Sequence, residues 1–179
     1  MILFILDKNT DSDLVIRAAI EKYITFSKNA YIDGGEIEKM LNHLQITEKT
    51  LVSKMKIVRG GKPYLEYEGE KLPLKFSLSD TSGLTIVGVA LSEVGVDCET
   101  IKERDFKGIA KRENFDEVAS IEDFYDQWTR REAVAKYYGK GFSKVKEKEQ
   151  NIKATNLKIL YNCSVAVATT ENILIALLT

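Results

Sequence analysis

Histidine occurs once in these 179 residues and cysteine only twice. A Ser-His-Asp or Cys-His mechanism would therefore rest wholly on His43, which falls in a candidate helix and reads as structural or exposed, and no nucleophile elbow accompanies it. Cys98 and Cys163 are too few for a disulfide framework and point to a reducing compartment, so a cytoplasmic location is expected. No paired Cys/His spacing suggests zinc. Neither sign of charge dominates, and a net charge of −1 offers no global basic field for nucleic acid or an acidic membrane. Long apolar runs are missing too: Ile173 to Leu178 is far short of the roughly 20 residues a membrane span needs. The apolar start, Met1 to Leu6, meets Asp7 at once and lacks a basic leader, so it reads as a first strand rather than a signal peptide. Low-complexity segments, sequence repeats and glycine- and lysine-rich phosphate loops are all absent.

What remains is an ordinary globular composition. Hydrophobic residues make up 44% of the chain and charged residues 30%, enough for a single domain, 1–179, with a real core. The pattern alternates strand and helix, an α+β reading. A buried strand is expected over 1–6. A helix over 11–27 has its apolar positions at Leu14, Ile16, Ala18, Ala19, Tyr23 and Phe26 and a cap at Asp11 or Ser12, and Asp33-Gly34-Gly35 breaks the chain after it. A second helix, 36–44, carries Ile37, Met40, Leu41 and Leu44. Gly60 to Pro63 is a turn, Phe76 to Ser79 a strand, and Asp80 to Gly83 another turn. Leu84–Leu91 and Val94–Glu99 are β-rich and predict a hairpin. A long helix over 120–138 ends at Gly139, a residue suited to a left-handed cap. Residues 143–153 read as a solvated loop or edge, and Leu157–Tyr161, Ser164–Ala168 and Ile173–Leu178 as three closing strands.

Two acidic segments about thirty residues apart stand out: Gly95-Val96-Asp97-Cys98-Glu99 and Trp128 through Lys136. Residues i and i+2 of a strand face the same way, so Asp97 and Glu99 project side by side and Cys98 turns to the core. Positions i, i+4 and i+8 of a helix nearly align, which puts Trp128, Glu132 and Lys136 on one face. If strand and helix pack together, three carboxylates converge beside one lysine. Such a trio repels itself unless a hard cation lies between, and oxygen donors suit magnesium. Trp128, with Phe124 and Tyr125, is expected to pack the helix rather than meet a substrate.

Four segments, in order, resemble the Sfp-type 4′-phosphopantetheinyl transferases. They are Gly61-Lys62-Pro63-Tyr64, Phe76 through Gly83, Val94 through Glu99, and Trp128 through Lys136 running into Gly139-Lys140-Gly141-Phe142; together they span roughly residues 60 to 142. The resemblance implies an α+β fold of two pseudo-twofold-related halves, 1–90 and 91–179, each a small antiparallel sheet packed on a long helix, with the site between them and a monomeric state. It implies a magnesium-dependent transfer of the phosphopantetheine arm of coenzyme A to a serine of an acyl or peptidyl carrier protein. Asp97, Glu99 and Glu132 would hold the metal; Glu132 would also serve as base for the carrier serine, directly or through a water. Lys136 would meet the phosphoryl oxygens and the departing nucleotide. Lys62 and Ser79 would contact the nucleotide and its phosphates. Lys140, Lys144 and Lys146 would offer a basic surface to an acidic carrier.

The chain departs from the family pattern at three positions. Ser77 stands at the asparagine and Asp80 at the histidine of the usual Phe-Asn-x-Ser-His pattern, and Arg131 replaces the lysine before the helix glutamate. Asp80 occupies a position that contacts coenzyme A phosphate in the family. Two unit charges 4 Å apart repel by about 4 kcal/mol at an effective dielectric near 20. Asp80 can turn away, stay protonated or join the metal shell, and the sequence leaves all three open. It likewise leaves open a catalytically impaired relative that binds carrier or coenzyme A, and an unrelated magnesium-dependent phosphohydrolase.

Overall fold

The computed structural model describes residues 1–7, 11–30, 35–145, 151–152 and 154–178. The first strand, β1 (Ile2–Asp7), is apolar at successive positions because both of its faces are covered: Ile2 and Phe4 enter one core, Met1 and Leu3 another. Helix α1 (Ser12–Ala30) starts where the Asp11 carboxylate accepts the Asp13 and Leu14 amides. Its buried stripe runs Val15, Ile16, Ala19, Ile20, Tyr23, Ile24, so Leu14 and Phe26 lie outside it and are exposed. Two shorter helices follow, α2 (Glu36–Leu44) and α3 (Glu48–Lys54). Arg17 of α1 ties the last down by donating to the Val52 and Met55 carbonyls. Three short strands, β2 (Lys56–Val58), β3 (Tyr64–Tyr67) and β4 (Glu70–Lys71), form a small antiparallel sheet of their own.

The strands that matter for the site come next. β5 (Lys75–Thr81) and β6 (Leu84–Ala90) form a hairpin, and β6 pairs with β1 on its other edge. β7 (Val94–Thr100) leaves that sheet and pairs with β9 (Cys163–Thr169), which also pairs with β8 (Ala154–Asn156). Between β7 and β8 run α4 (Phe106–Glu113), α5 (Ile121–Tyr138) and a single 3-10 turn at Phe142–Lys144. The last strand, β10 (Leu174–Leu177), returns to lie parallel to β1. The strand orders are β10-β1-β6-β5 and β7-β9-β8. A first strand, a long helix and a hairpin whose second strand pairs with the first thus occur twice, as β1-α1-β5-β6 and β7-α5-β8-β9.

Side-chain alternation stacks these elements into layers. Val87 and Val89 of β6 meet α1 with Ile2 and Phe4, whereas Ile86 and Ala90 meet Val94, Val96, Cys98, Val165 and Val167 of the second sheet. The far side of that sheet is closed by α5, where Ala133, Val134 and Ala135 pack on Ala154, Ala166 and Ala168. A cluster of Phe106, Phe115, Phe124, Tyr125 and Trp128 joins α4 to the first half of α5.

The expected α+β class holds, and several details are corrected. Leu84–Leu91 and Val94–Glu99 do not pair as a hairpin, because both edges of β6 are taken by β1 and β5. Leu157–Tyr161 is not a strand; the ladder is made by the preceding Ala154–Asn156, while Leu157, Ile159 and Leu160 pack their side chains against the core between the two sheets. The first sheet is not purely antiparallel, since β10 runs parallel to β1, and that same strand carries residues 174–177 across to the N-terminal sheet. Of the break expected at Asp33-Gly34-Gly35 only Gly35, and of residues 143–153 only a part, fall within the described residues.

Candidate functional site

Alternation along β7 sends Val94, Val96 and Cys98 into the core between the sheets and leaves Gly95, Asp97 and Glu99 toward α5. Gly95 is what lets the helix come close. A methyl group placed there would lie 2.0 Å from the Ala133 carbonyl oxygen and 2.5 Å from the Tyr137 nitrogen. α5 itself is fixed at both ends: the Ser120 hydroxyl accepts the Asp123 amide, and Gly139 takes the left-handed conformation with φ 64°.

β5 is joined to β7 by hydroxyls rather than by a backbone ladder. Ser77 Oγ accepts the Val96 amide at 3.0 Å, Ser79 Oγ the Cys98 amide at 3.2 Å and Thr81 Oγ1 the Thr100 amide at 3.0 Å. Alternate side chains of one strand thus match alternate amides of the next. Ser79 then donates its own proton to Asp97 Oδ1 at 2.8 Å, and the Lys136 ammonium reaches the same oxygen at 2.8 Å and the Leu78 carbonyl at 3.4 Å.

The result is a polar pocket of about 260 Å³ lined by Leu78, Ser79, Asp80, Asp97, Glu99, Glu132 and Lys136. It draws on β5 from the first ninety residues and on β7 and α5 from the rest. Asp97 is 5% exposed, and burial pushes its carboxyl above the usual carboxylate range against the opposing pull of Lys136 and Ser79. Burial also raises Glu99, with the Asp97 charge adding to it, and raises Glu132, where Asp97 and Glu99 contribute in the same direction. Cys98, on the opposite face, is pushed up to about 12 by burial and is inert as a nucleophile.

Six of the seven expected site residues, Ser79, Asp80, Asp97, Glu99, Glu132 and Lys136, meet in this one pocket. Lys62 does not. It lines an adjoining pocket of about 380 Å³ with Gly61, Pro63, Phe76, Ser77 and Lys140, and the two pockets share Leu78 and Lys136. The Lys62 ammonium is bonded to the Tyr137 carbonyl at the end of α5 and paired with Glu93, and burial holds it below the usual lysine range. The absence of a side chain on Gly139 makes room for it, since a methyl group there would lie 2.7 Å from Lys62 Cβ. Ser79 is spent on Asp97 and β7, a positioning role that the sequence reading missed; the alternation of Ser77, Ser79 and Thr81 was its signal. Arg131 faces away from the pocket. It donates to the Val145 and Glu113 carbonyls at 2.7 and 2.9 Å, and its guanidinium lies 4.3 Å from the centre of the Phe142 ring. Trp128 packs on Phe115, Phe124 and Phe142, and His43 is exposed beside Glu70. Lys140 and Lys144 are exposed; Lys146 lies outside the described residues.

Among the described residues no three His, Cys, Asp or Glu side chains are drawn together as a metal would hold them. The donors are nevertheless of the right kind. Asp97 Oδ2 is buried and has no hydrogen-bond partner among the described residues, an acceptor that a cation would satisfy. Asp97, Glu99 and Glu132 offer only hard oxygens, and like charges keep apart until a cation comes between them. The trio fits a hard divalent cation. No family model matches the chain, and no curated protein matches it.

Proposed function

We propose that this chain is a magnesium-dependent 4′-phosphopantetheinyl transferase of the two-halved Sfp type, acting on coenzyme A and an acyl or peptidyl carrier protein. The observation that carries the reading is the meeting of Asp97, Glu99, Glu132 and Lys136 in one pocket that adjoins, across Leu78 and Lys136, a second, lysine-bearing pocket beside Gly61-Lys62-Pro63. The repeated strand–helix–hairpin order supports the two-halved fold.

In this reading the carrier serine oxygen attacks the phosphorus that bears the pantetheine arm. A new P–O bond forms, and the bond to the bridging oxygen of the pyrophosphate breaks, releasing adenosine 3′,5′-bisphosphate. Glu132, whose carboxyl burial and the Asp97 charge raise above the usual carboxylate range, takes the serine proton directly or through a water. Lys136 stabilises charge on the phosphoryl oxygens and the leaving group. Asp97, Glu99 and Glu132 would hold the cation, which when bound neutralises the pyrophosphate. Phe76, Pro63 and the lysines of the adjoining pocket provide an apolar wall and positive charge for the nucleotide end. Lys140 belongs to that pocket, which leaves Lys144 as the described candidate for the carrier surface. Asp80 in the phosphate-facing pocket favours a second reading, a relative that binds these ligands without turnover.

Intact-mass measurement of apo carrier proteins incubated with the chain, coenzyme A and magnesium tests the proposal. One phosphopantetheine gained per carrier, and lost on chelation, is the expected result. Glu132→Gln should keep the fold and lower transfer by at least about a hundredfold, because it removes the base. Undiminished transfer by that variant would remove Glu132 from the mechanism, and no gain on any carrier would leave the binding-only reading.

A further inference from the structure

The last turn of a helix leaves carbonyls that no later helical amide reaches. At the end of α5 the Ala135 carbonyl accepts the Lys140 amide at 2.9 Å and the Lys136 carbonyl the Gly139 amide at 3.2 Å. The next carbonyl, that of Tyr137, accepts the Lys62 ammonium, which comes from a turn 75 residues earlier in the chain. The same ammonium is paired with Glu93, in the connection between β6 and β7. Lys75 of β5 holds that carboxylate from another side at 3.7 Å, and Lys71 acts on it as well. Two glycines admit the arrangement: Gly139 leaves room for Lys62 Cβ, and Gly95 for the Tyr137 backbone. The Lys62 side chain is only 22% exposed, so its ammonium gives up much of its water for these two oxygens.

We propose that Lys62 is a positioning residue for the transfer reaction: with Glu93 it clamps the end of α5 to the β6–β7 connection and so sets where Lys136 stands, rather than contacting the nucleotide. This rests on the transferase reading given above and deepens it. The carbonyl that Lys62 holds belongs to the residue after Lys136, so the clamp acts one peptide away from the ammonium that meets Asp97. A lysine at a helix C-terminus also opposes the negative end of the helix dipole. Because Glu93 cancels the Lys62 charge, Lys136 and Lys140 are the lysines of the adjoining pocket that offer charge to the nucleotide. Glu93 is as necessary to the clamp as Lys62. Without its carboxylate, the repulsion that Lys71 and Lys75 exert on Lys62 is uncompensated.

Amide hydrogen exchange of the full chain tests the clamp without any ligand. Lys62→Met keeps most of the stem, and Glu93→Gln is close to isosteric. Each should speed exchange at Tyr137 to Lys140 about tenfold or more while leaving the first half of α5 unchanged, and the double variant should go no further than either single one. Unchanged exchange, or effects that add, would overturn the clamp. Transfer kinetics test the positioning. Both variants should lower kcat about tenfold with KM for coenzyme A within about twofold, since a misplaced Lys136 costs rate rather than affinity. A rise in KM confined to Lys62→Met would make Lys62 a ligand of coenzyme A, and an unchanged kcat would make the clamp a matter of stability alone; either result overturns the proposal. No transfer by the unchanged chain would overturn the transferase reading and with it the task given to Lys136, while the exchange result would still decide the clamp.

Discussion

Lys136 holds Asp97 Oδ1 and the Leu78 carbonyl at once, so one ammonium links α5 to β7 and to β5. Asp97 is the more buried partner, with 7% of its side chain exposed against 32% for the lysine. Replacing Lys136 with Met keeps most of the stem and removes the charge, leaving a buried carboxylate without its cation. The expected loss at neutral pH is about 1–3 kcal/mol, read from urea denaturation. Its pH dependence identifies the cause. Asp97 already sits above the usual carboxylate range because burial outweighs Lys136 and Ser79. Without the lysine it rises further, and protonation then relieves the stranded charge. The deficit should therefore shrink as pH falls toward about 4. A deficit of the same size at acid pH would mean that lost packing, not lost charge, is responsible.

At the scale of elements, the site depends on how closely α5 approaches β7. The atoms that a methyl group on Gly95 would strike are backbone atoms of the helix, which cannot rotate aside as a side chain can. Gly95→Ala should accordingly cost about 3 kcal/mol or more by chemical denaturation and push Glu132 and Lys136 away from Asp97. A change below about 1 kcal/mol would mean that the two elements are less tightly joined than their spacing requires. Sequence patterning found the elements long enough to show a period. α2 was read at its true ends, and α1, α5, β7 and β9 to within a few residues. The short α3, α4, β2, β3 and β4 give periodicity too few positions to register and were not read. Leu157–Tyr161 misled because Leu157, Ile159 and Leu160 pack their side chains on the core while the pairing with β9 runs out after the Leu157 amide, whereas Thr155 and Asn156, polar by composition, make the ladder. The candidate pocket was legible because Asp97, Glu99, Glu132 and Lys136 obey the strand and helix periods; the task of Ser79 was not read, because the period-two run of Ser77, Ser79 and Thr81 marks a shared face without saying which strand's amides that face meets.

For the molecule as a whole, the pocket ties stability to protons and, if it holds the proposed cation, to a divalent ion as well. Asp97, Glu99 and Glu132 all have carboxyls raised by burial, with neighbouring carboxylates adding to the effect at Glu99 and Glu132, so the folded chain holds these protons more tightly than the unfolded one. The stability they contribute is present below the ordinary carboxylate range and is lost as pH rises through their raised values. A divalent cation in the proposed site would replace the missing protons. Magnesium or manganese at a hundred times its dissociation constant should add about 2.7 kcal/mol at pH 7, raising the melting temperature by about 5–10 °C. The increment should fall away near about pH 4 and disappear on chelation. An increment independent of pH would place the cation elsewhere.

The path of the chain imposes an order in time as well as in space. β1 leaves the ribosome long before its parallel neighbour β10, Leu174–Leu177. Until β10 emerges, then, Ile2 to Ile5 must wait with that backbone edge unpaired, though their side chains are buried in the finished molecule. An open apolar edge is a template for a neighbouring chain. On a crowded polysome this edge is therefore open to misassembly, and it is guarded only once β10 has come home.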